Sequence, residues 1–497
     1  MMYTLGVDIG TFESKGVLVD FSGQIVAQAA RAHEMIIPRA GWAEHRPEQD
    51  WWGDFVFVTK ALLERSKARP EEIKAIACSA IGPCMLPLDV AGQPLMNGVL
   101  YGVDTRASAE IALLNAAIGP ETILQRCGNA LTSQSVGPKI LWLKRNHPDL
   151  WDRTAKVVTA TTFLTHRLTG RYVIDHYTAA NFSPLYDITL QDWCLDLGDI
   201  CGADRLPELM WSNEIAGHVT EQAAAETGLA FGTPVTCGTI DAASEAVSVG
   251  ATSPGDMMMM YGSTIFIIQI TAGRLHDARL WHAPWLYKGQ HAAMAGLATS
   301  GTLTHWFRDQ FARDLPRDTA FATLTAEALD SPPGARGLLC LPYFSGERTP
   351  LHNPQARGAF FGLDLTHRRG DLYRAVLEGI ASATRHITDT FAAAGAAPRH
   401  VLAVGGGTKN QPWLQATSDL TGLPQVVCRV TTGASFGNAY LAAKAIGVAA
   451  DITQWNPVAE EIHPAQHAVY ARQYPLFRAL YEQTRDIAAA LGAQNAS

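Results

Sequence analysis

No two of the eight cysteines stand at C-x-x-C spacing, and none joins a histidine in a cluster of zinc spacing. That excludes a disulfide scaffold and a zinc module, and reads as reduced, mostly buried thiols of a cytoplasmic protein. Runs of Lys or Arg are also missing, and the net charge is −8, so nucleic acid and anionic membrane surfaces are poor partners. Long apolar runs are absent too. Met257–Tyr261 and Ile265–Ile268 are separated by Gly262-Ser263-Thr264, which is too short a stretch to span a bilayer and predicts buried strands. No signal peptide is expected, because Asp8 interrupts the apolar residues 3–9 and no basic region precedes them. There is no low-complexity linker, so a boundary near 250–256 rests on Thr252-Ser253-Pro254-Gly255 alone.

What is present is ample core for two domains: 497 residues, 47% hydrophobic and 17% charged. The first half opens with strand signals at Tyr3–Val7, Gly16–Asp20 and Ile25–Arg31, the first two joined by a turn-rich link, Asp8–Lys15. Helices at about 49–66 and 106–117 alternate with a strand at Ile73–Ser79. Near residue 254 the pattern starts again, with strands at Met257–Tyr261 and Ile265–Ile270 around Gly262-Ser263-Thr264. Each half therefore opens with strand, small-residue turn, strand. This predicts a duplicated α/β architecture with mixed sheets, divided into 1–252 and 253–497.

Four segments carry candidate chemistry. In Asp8–Lys15, Gly10 and Thr11 can turn amides and a hydroxyl toward an anion, with Ser14 and Lys15 beside it and Asp8 placed for a hydrated Mg²⁺. A plain hairpin is the alternative. Gly262, Ser263 and Thr264 take the matching place in the second half, so two loops could clamp phosphates across a cleft. Ala403–Asn410 puts Gly405, Gly406 and Gly407 between a strand and a helix, where backbone approaches a flat or anionic ligand closely. It is not G-x-G-x-x-G, which disfavours a Rossmann dinucleotide site. Asp241 follows a strand and starts an Ala-rich helix. It reads either as an N-cap or as a carboxylate kept ionised by the helix end and ready to accept a proton.

The longest motif is Gly358–Glu378, GAFFGLDLTHRRGDLYRAVLE. By spacing alone it is a short strand flanked by Gly358 and Gly362, then a helix that Asp371 can cap, with Leu372, Ala375, Val376, Gly379, Ile380 and Ala383 on one face. Position by position it resembles the second signature of the FGGY carbohydrate kinases. Several other segments resemble the same family: Asp8–Lys15 its phosphate loop, Ala403–Asn410 its adenosine motif, Tyr101–Arg106 its W-x-D-x-R segment, and Lys139–Asn146 the core of its first signature. Val136 departs from that signature, and Trp142 reads as core. Asp50-Trp51-Trp52 and Leu341–Pro350 are most similar to the pentulose-kinase, xylulokinase-like branch.

The resemblance implies two actin-like (ribonuclease H-like) domains with ATP and a small sugar in the cleft between them, a homodimer being one assembly it leaves open. It gives Asp241 the role of base and Asp8 that of Mg²⁺ ligand. Gly10, Thr11, Ser14, Lys15, Gly262, Ser263, Thr264 and Gly301 would contact phosphates, and Gly405, Gly406, Gly407 and Asn410 adenosine. Asp104, Arg106 and Asp241 would meet a ketopentose such as D-xylulose. Gly82-Pro83 stands where xylulokinases place a Met–His pair, and offers no polar side chain. Rival readings are kinases for ribulose, another ketose, a polyol or glycerol, an actin-like ATPase that phosphorylates no sugar, and a silent sugar-binding relic.

Overall fold

The computed structural model describes residues 1–448 and 451–494. In the first half, β1 (Tyr3–Ile9), β2 (Glu13–Asp20) and β3 (Ile25–Ala32) form an antiparallel meander. Their alternating or continuous apolar residues bury one face or both, and Leu5, Val7, Ile9, Val17, Leu18 and Val19 are fully enclosed. Helix α1 (Asp54–Ser66) follows a wider-wound turn at Pro47–Gly53, so the single predicted helix is two segments. Strand β4 (Ile73–Ala80) lies parallel to β1. β5 (Ile215–His218), β6 (Pro234–Thr236) and β7 (Thr239–Ile240) complete the sheet, in the order β5-β6-β4-β1-β2-β3 with β7 also on β4. Helix α2 (Asp241–Ser248) leaves β7 directly.

The second half repeats the plan. β8 (Asp256–Tyr261) and β9 (Ile265–Thr271) form a hairpin, followed by β10 (Trp281–Pro284), β11 (His291–Leu297) and α3 (Gly301–Phe311). The 25-residue α4 (Arg369–Ala393) precedes β12 (His400–Val404), which lies parallel to β8 as β4 does to β1. α5 (Gln411–Thr421), β13 (Gln425–Cys428), α6 (Ala434–Ala445), β14 (Val458–Ile462) and α7 (Ala468–Gln494) follow. The sheet order is β10-β11-β9-β8-β12-β13-β14.

Several boundaries differ from the sequence reading for local reasons. Asp8 and Lys15 are opposed in the ladder, so the expected link is mostly strand and only 10–12 turn. The predicted helix at 106–117 runs Ser108–Ile118. Asp371 sits within the first turn of α4 and caps it by accepting the Arg368 amide at 2.9 Å. Trp142 is core, and Val136 begins its own buried helix, Val136–Asn146.

Although late in sequence, α6 packs on β1, β4 and α2 of the first half. Glycine permits this. A methyl group at Gly6 would meet the Ser435 carbonyl, and one at Gly437 the Ser244 carbonyl. Both obstacles are backbone and cannot swing aside. Gly437→Ala would gain about 1 kcal/mol in helix propensity, yet overpacking costs about 1–3 kcal/mol. Thermal unfolding should therefore show a lower Tm for Gly437→Ala. A raised Tm would mean that the two halves do not meet this closely.

Candidate active site

The C-terminal ends of β1, β4 and β7 lie side by side, with Asp8 opposite Ser79 and Ser79 opposite Thr239. Parallel strand ends of this kind leave a crevice for ligands. Here they floor a cavity of about 360 Å³ between the two halves. Asp8, Thr11, Gly82, Pro83 and Asp241 line it from the first half, while Met260, Phe266, His282 and Met294 close it from the second.

Asp241 is the first residue of α2, and Ile240 holds the cap position. The Asp241 carboxylate accepts only the adjacent Ala242 amide, at 2.7 Å, so it is not the N-cap that a lone Asp suggests. Burial and the Asp8 charge push its pKa well above the usual carboxylate range, with the helix end opposing them. The expectation that the helix end dominates is thus corrected: desolvation outweighs it. Glu245, one turn further on the same face, also lines the cavity, and burial with the Asp8 charge raises it to about 7. Asp8 itself rises to about 6 through burial, against the 2.6 Å hydrogen bond from Ser79 and the charge of Lys15. Three half-buried carboxyl groups thus face one cavity.

Asn438 of α6 supports Asp8 from the other half. Its amide donates to the Ser79 hydroxyl (2.7 Å) and to the Val7 carbonyl (2.8 Å), while its own carbonyl accepts the Ser244 hydroxyl at 2.7 Å. At the 10–12 turn, Thr11 lines the cavity, while the Gly10 amide donates to the Glu13 carbonyl at 3.1 Å. Among the described residues, the amides of Thr11 and Phe12 have no protein acceptor.

The second-half loops lie outside this cavity, at the neighbouring ends of β8 and β12. The carbonyls of Gly262 and Ser263 accept the amides of Gly301 and Thr302, each at 3.0 Å, which ties the Gly262-Ser263-Thr264 turn to the start of α3. Gly405 has φ 97° and lies against the Tyr261 carbonyl. Gly406 has open space before it, and a methyl on Gly407 would strike Trp413 and Tyr261. Asn410 caps α5 through the Trp413 amide (3.2 Å) and donates to the Tyr373 hydroxyl (3.2 Å).

Five first-half residues expected to contact ligands, Gly10, Ser14, Lys15, Asp104 and Arg106, do not line the cavity. Ser14 points inward and donates to Asp54 at 2.7 Å, because strand alternation turns it opposite to Lys15. Asp104 and Arg106 are enclosed as an ion pair at 2.7 Å; Arg106 also reaches Glu44 at 2.8 Å and lies over the Trp42 ring. A buried guanidinium needs these partners, and they leave Asp104 neither a helix cap nor a cavity-lining acceptor. Lys15 is 47% exposed and pairs with Glu13 at 3.1 Å.

The FGGY family of carbohydrate kinases matches over nearly the whole chain, its N-terminal domain on residues 3–248 and its C-terminal domain on 257–446. The chain belongs to the FGGY family of carbohydrate kinases. It is 29% identical to the xylulose kinase of Bacillus subtilis over 99% of both chains. It is 30% identical to that of Escherichia coli over 96% of this chain and 98% of the other. The crystal structure of xylulose kinase from Rhodospirillum rubrum superimposes with TM-score 0.92 at 32% identity, covering 98% of this chain and 99% of that one. An FGGY fold with two α/β domains is thereby established, and with it a sugar kinase using ATP. The sugar-free actin-like ATPase is not favoured. No helix among the described residues of this kinase is long and apolar enough to cross a membrane.

Glu245 was legible as the residue four positions after Asp241; the Ser79–Asn438 pair, 359 residues apart, left no sequence signal. Removing one partner of the enclosed Asp104–Arg106 pair strands a charge. Asp104→Asn is therefore expected to lower unfolding stability by about 3 kcal/mol, the lower end of the range for broken buried pairs because Glu44 remains. Denaturant unfolding measures this. A sugar KM raised without loss of stability would instead return Asp104 to the sugar.

Proposed function

We propose that this kinase transfers the γ-phosphoryl group of ATP to the terminal hydroxyl of a ketopentose, D-xylulose, giving D-xylulose 5-phosphate and ADP. The observation that carries the reading is the Asp241 carboxyl at the head of α2, half-buried in the cavity floor and free of a helix-capping bond. The xylulose kinases similar along almost their whole length point to the sugar.

Asp241 takes the proton of the attacking hydroxyl. That oxygen forms the new P–O bond while the bond from the γ-phosphorus to the bridging oxygen of ADP breaks. Burial makes Asp241 a stronger base than a surface carboxylate, which suits a general base working near neutrality. The unpartnered amides of Thr11 and Phe12 suit phosphate oxygens, and Lys15 can swing from Glu13 toward them. Gly262, Ser263, Thr264 and Gly301 would steady the remaining phosphates, with adenosine on Gly405, Gly406, Gly407 and Asn410. Enclosure between the halves excludes water, the competing acceptor.

The donor set suits Mg²⁺. Asp8, with Asp241 and Glu245 near it, supplies hard oxygen atoms whose mutual repulsion a divalent cation relieves. No group of three or more metal-binding side chains gathers among the described residues, so the ion would keep much of its water, with Asp8 its protein ligand. When bound, Mg²⁺ supplies charge neutralisation on the phosphates. We place the domain division at 252/253, where β8 begins shortly after, and the enzyme in a reducing cytoplasm, which fits eight unpaired cysteines.

Asp241→Asn should bind ATP almost normally and lose roughly 10²–10⁴-fold in kcat, the usual value of general-base help. Turnover near wild type would make Asp241 a structural residue. Sugar choice follows from the walls: at Gly82 and Pro83 the cavity has no polar side chain, and Met260, Phe266 and Met294 add apolar lining, while Asn129, Gln134 and Asn181 supply polar groups elsewhere. Discrimination at Gly82 and Pro83 rests on fit more than on hydrogen bonds. Across D-xylulose, D- and L-ribulose, D-fructose, erythritol and glycerol, kcat/KM should be higher for the ketoses than for glycerol. Glycerol exceeding every ketose would end the pentulose reading.

A further inference from the structure

The 10–12 turn has an unusual feature in that all three of its carbonyls are drawn back into the first half. The Gly10 carbonyl accepts His33 Nε2–H at 3.0 Å, the Thr11 carbonyl accepts His45 Nε2–H at 3.0 Å, and the Phe12 carbonyl accepts the His33 amide at 3.0 Å. With the carbonyls held behind, the amides of Thr11 and Phe12 are left without a protein acceptor among the described residues.

The bonds on the far side of each ring fix its protonation. His33 Nδ1 lies 2.8 Å from Asp54 Oδ2, which also accepts the Ser14 hydroxyl at 2.7 Å, while Arg31 approaches Oδ1 at 3.3 Å. A carboxylate among three donors does not donate, and neither does a carbonyl, so both His33 nitrogens carry protons. His45 Nδ1 accepts the Trp51 indole N–H at 3.1 Å, so His45 is the neutral Nε2–H tautomer. The rings stand edge to face, 4.9 Å apart. Burial alone would keep His33 neutral, but the hydrogen bond and charge of Asp54 outweigh it and raise its pKa above the usual histidine value, Asp50 adding to the effect. Burial and the His33 charge push His45 down to about 4. The groups facing His33 are thus Asp54, Asp50, Ser14, Arg31 and His45.

We infer that His33 and His45 are positioning residues for phosphoryl transfer: a charged and a neutral imidazole hold the Gly10 and Thr11 carbonyls back so that the turn presents amides to the ATP phosphates. This rests on the reading of 10–12 as a phosphate turn. It assigns the Nε2–H bonds of His33 and His45 to nucleotide recognition rather than to packing alone, with Asp54 and Trp51 orienting the two rings.

Two near-isosteric substitutions separate the possibilities. A Gln amide reaches about where Nε2 lies, so His33→Gln keeps a donor for Gly10 and gives up Asp54. An Asn amide reaches about where Nδ1 lies, so His33→Asn keeps Asp54 and releases Gly10. Calorimetric titration of ATP and steady-state kinetics on wild type and both variants are the test. His33→Gln should bind ATP much as wild type does. His33→Asn should weaken ATP about tenfold or more, the consequence of losing one hydrogen bond from a charged donor, with the ketose KM unmoved. Equal weakening in the two variants, a worse result for His33→Gln, or a ketose KM that rises in step with the ATP Kd would overturn the inference. Should His33→Asn not fold, His45→Gln against His45→Asn repeats the comparison on Thr11. Wild type failing to bind ATP would sink the phosphate-turn reading itself, a different failure from two variants that behave alike.

Discussion

Three half-buried carboxyl groups around one cavity set the terms for the rest of this molecule. Asp8, Asp241 and Glu245 are all desolvated, and each is raised above its usual range. Isolated burial of a carboxylate costs several kcal/mol, so such a cluster persists only where the surrounding structure over-determines it. The protein offsets part of the cost locally: the Ser79 hydroxyl bonds Asp8, the Ala242 amide bonds Asp241, the Ala434 amide bonds Glu245, and Lys15 lends charge from the rim. What remains uncompensated favours cations and protons entering the cavity. That is the electrostatic state from which a hydroxyl can be deprotonated and a phosphate-bound cation held.

Holding those carboxyls needs both halves at once. Ser79 belongs to β4 but is oriented by Asn438 of α6, which also ties Val7 and Ser244. The close approach of α6 to β1 and α2 is possible because Gly6 and Gly437 present no side chain to the opposing backbone. A second-half helix therefore travels with the first-half floor, and relative motion of the halves must be taken up elsewhere. At the opposite wall, the Asn129 side chain bridges to the His282 backbone in both directions at 2.8 Å, so the cavity is bounded by cross-half contacts on two sides.

Legibility in the sequence followed locality. The strand–turn–strand openings, Asp8, and the strand-to-helix step at Asp241 are local patterns, and the fold keeps them. The motif that identifies the family, Gly358–Glu378, forms a short strand and the buried helix α4 and does not line the cavity, so it told of kinship and not of chemistry. At Ser14 the motif and strand parity point different ways: Lys15 faces out, so its neighbour faces in, toward Asp54. Asp104 and Arg106 showed only that an acid and a base stand two residues apart. That they close on each other and on Glu44 depends on residues some 60 positions upstream. The Ser79–Asn438 bond spans 359 residues and could not be read at all.

The duplicated architecture also shows how one requirement is met by two chemistries. Both hairpin turns must point carbonyls away from the cleft if phosphates are to meet amides. In the second half the start of α3 supplies the donors, and the Gly301 and Thr302 amides take the Gly262 and Ser263 carbonyls. A glycine is needed there, since a methyl on residue 301 would strike the Gly262 carbonyl. No helix begins behind the 10–12 turn, and His33 and His45 stand in its place. Backbone amides hold their protons at any working pH, but imidazoles donate at two nitrogens only when charged. The first-half turn thus takes its donors from two ring nitrogens, and Asp54 orients His33 by accepting its Nδ1–H, whereas the second-half turn needs no such partner. On the reading of 10–12 as a phosphate turn, the ion pair of His33 with Asp54 is the counterpart of a helix start that the first-half topology does not supply there.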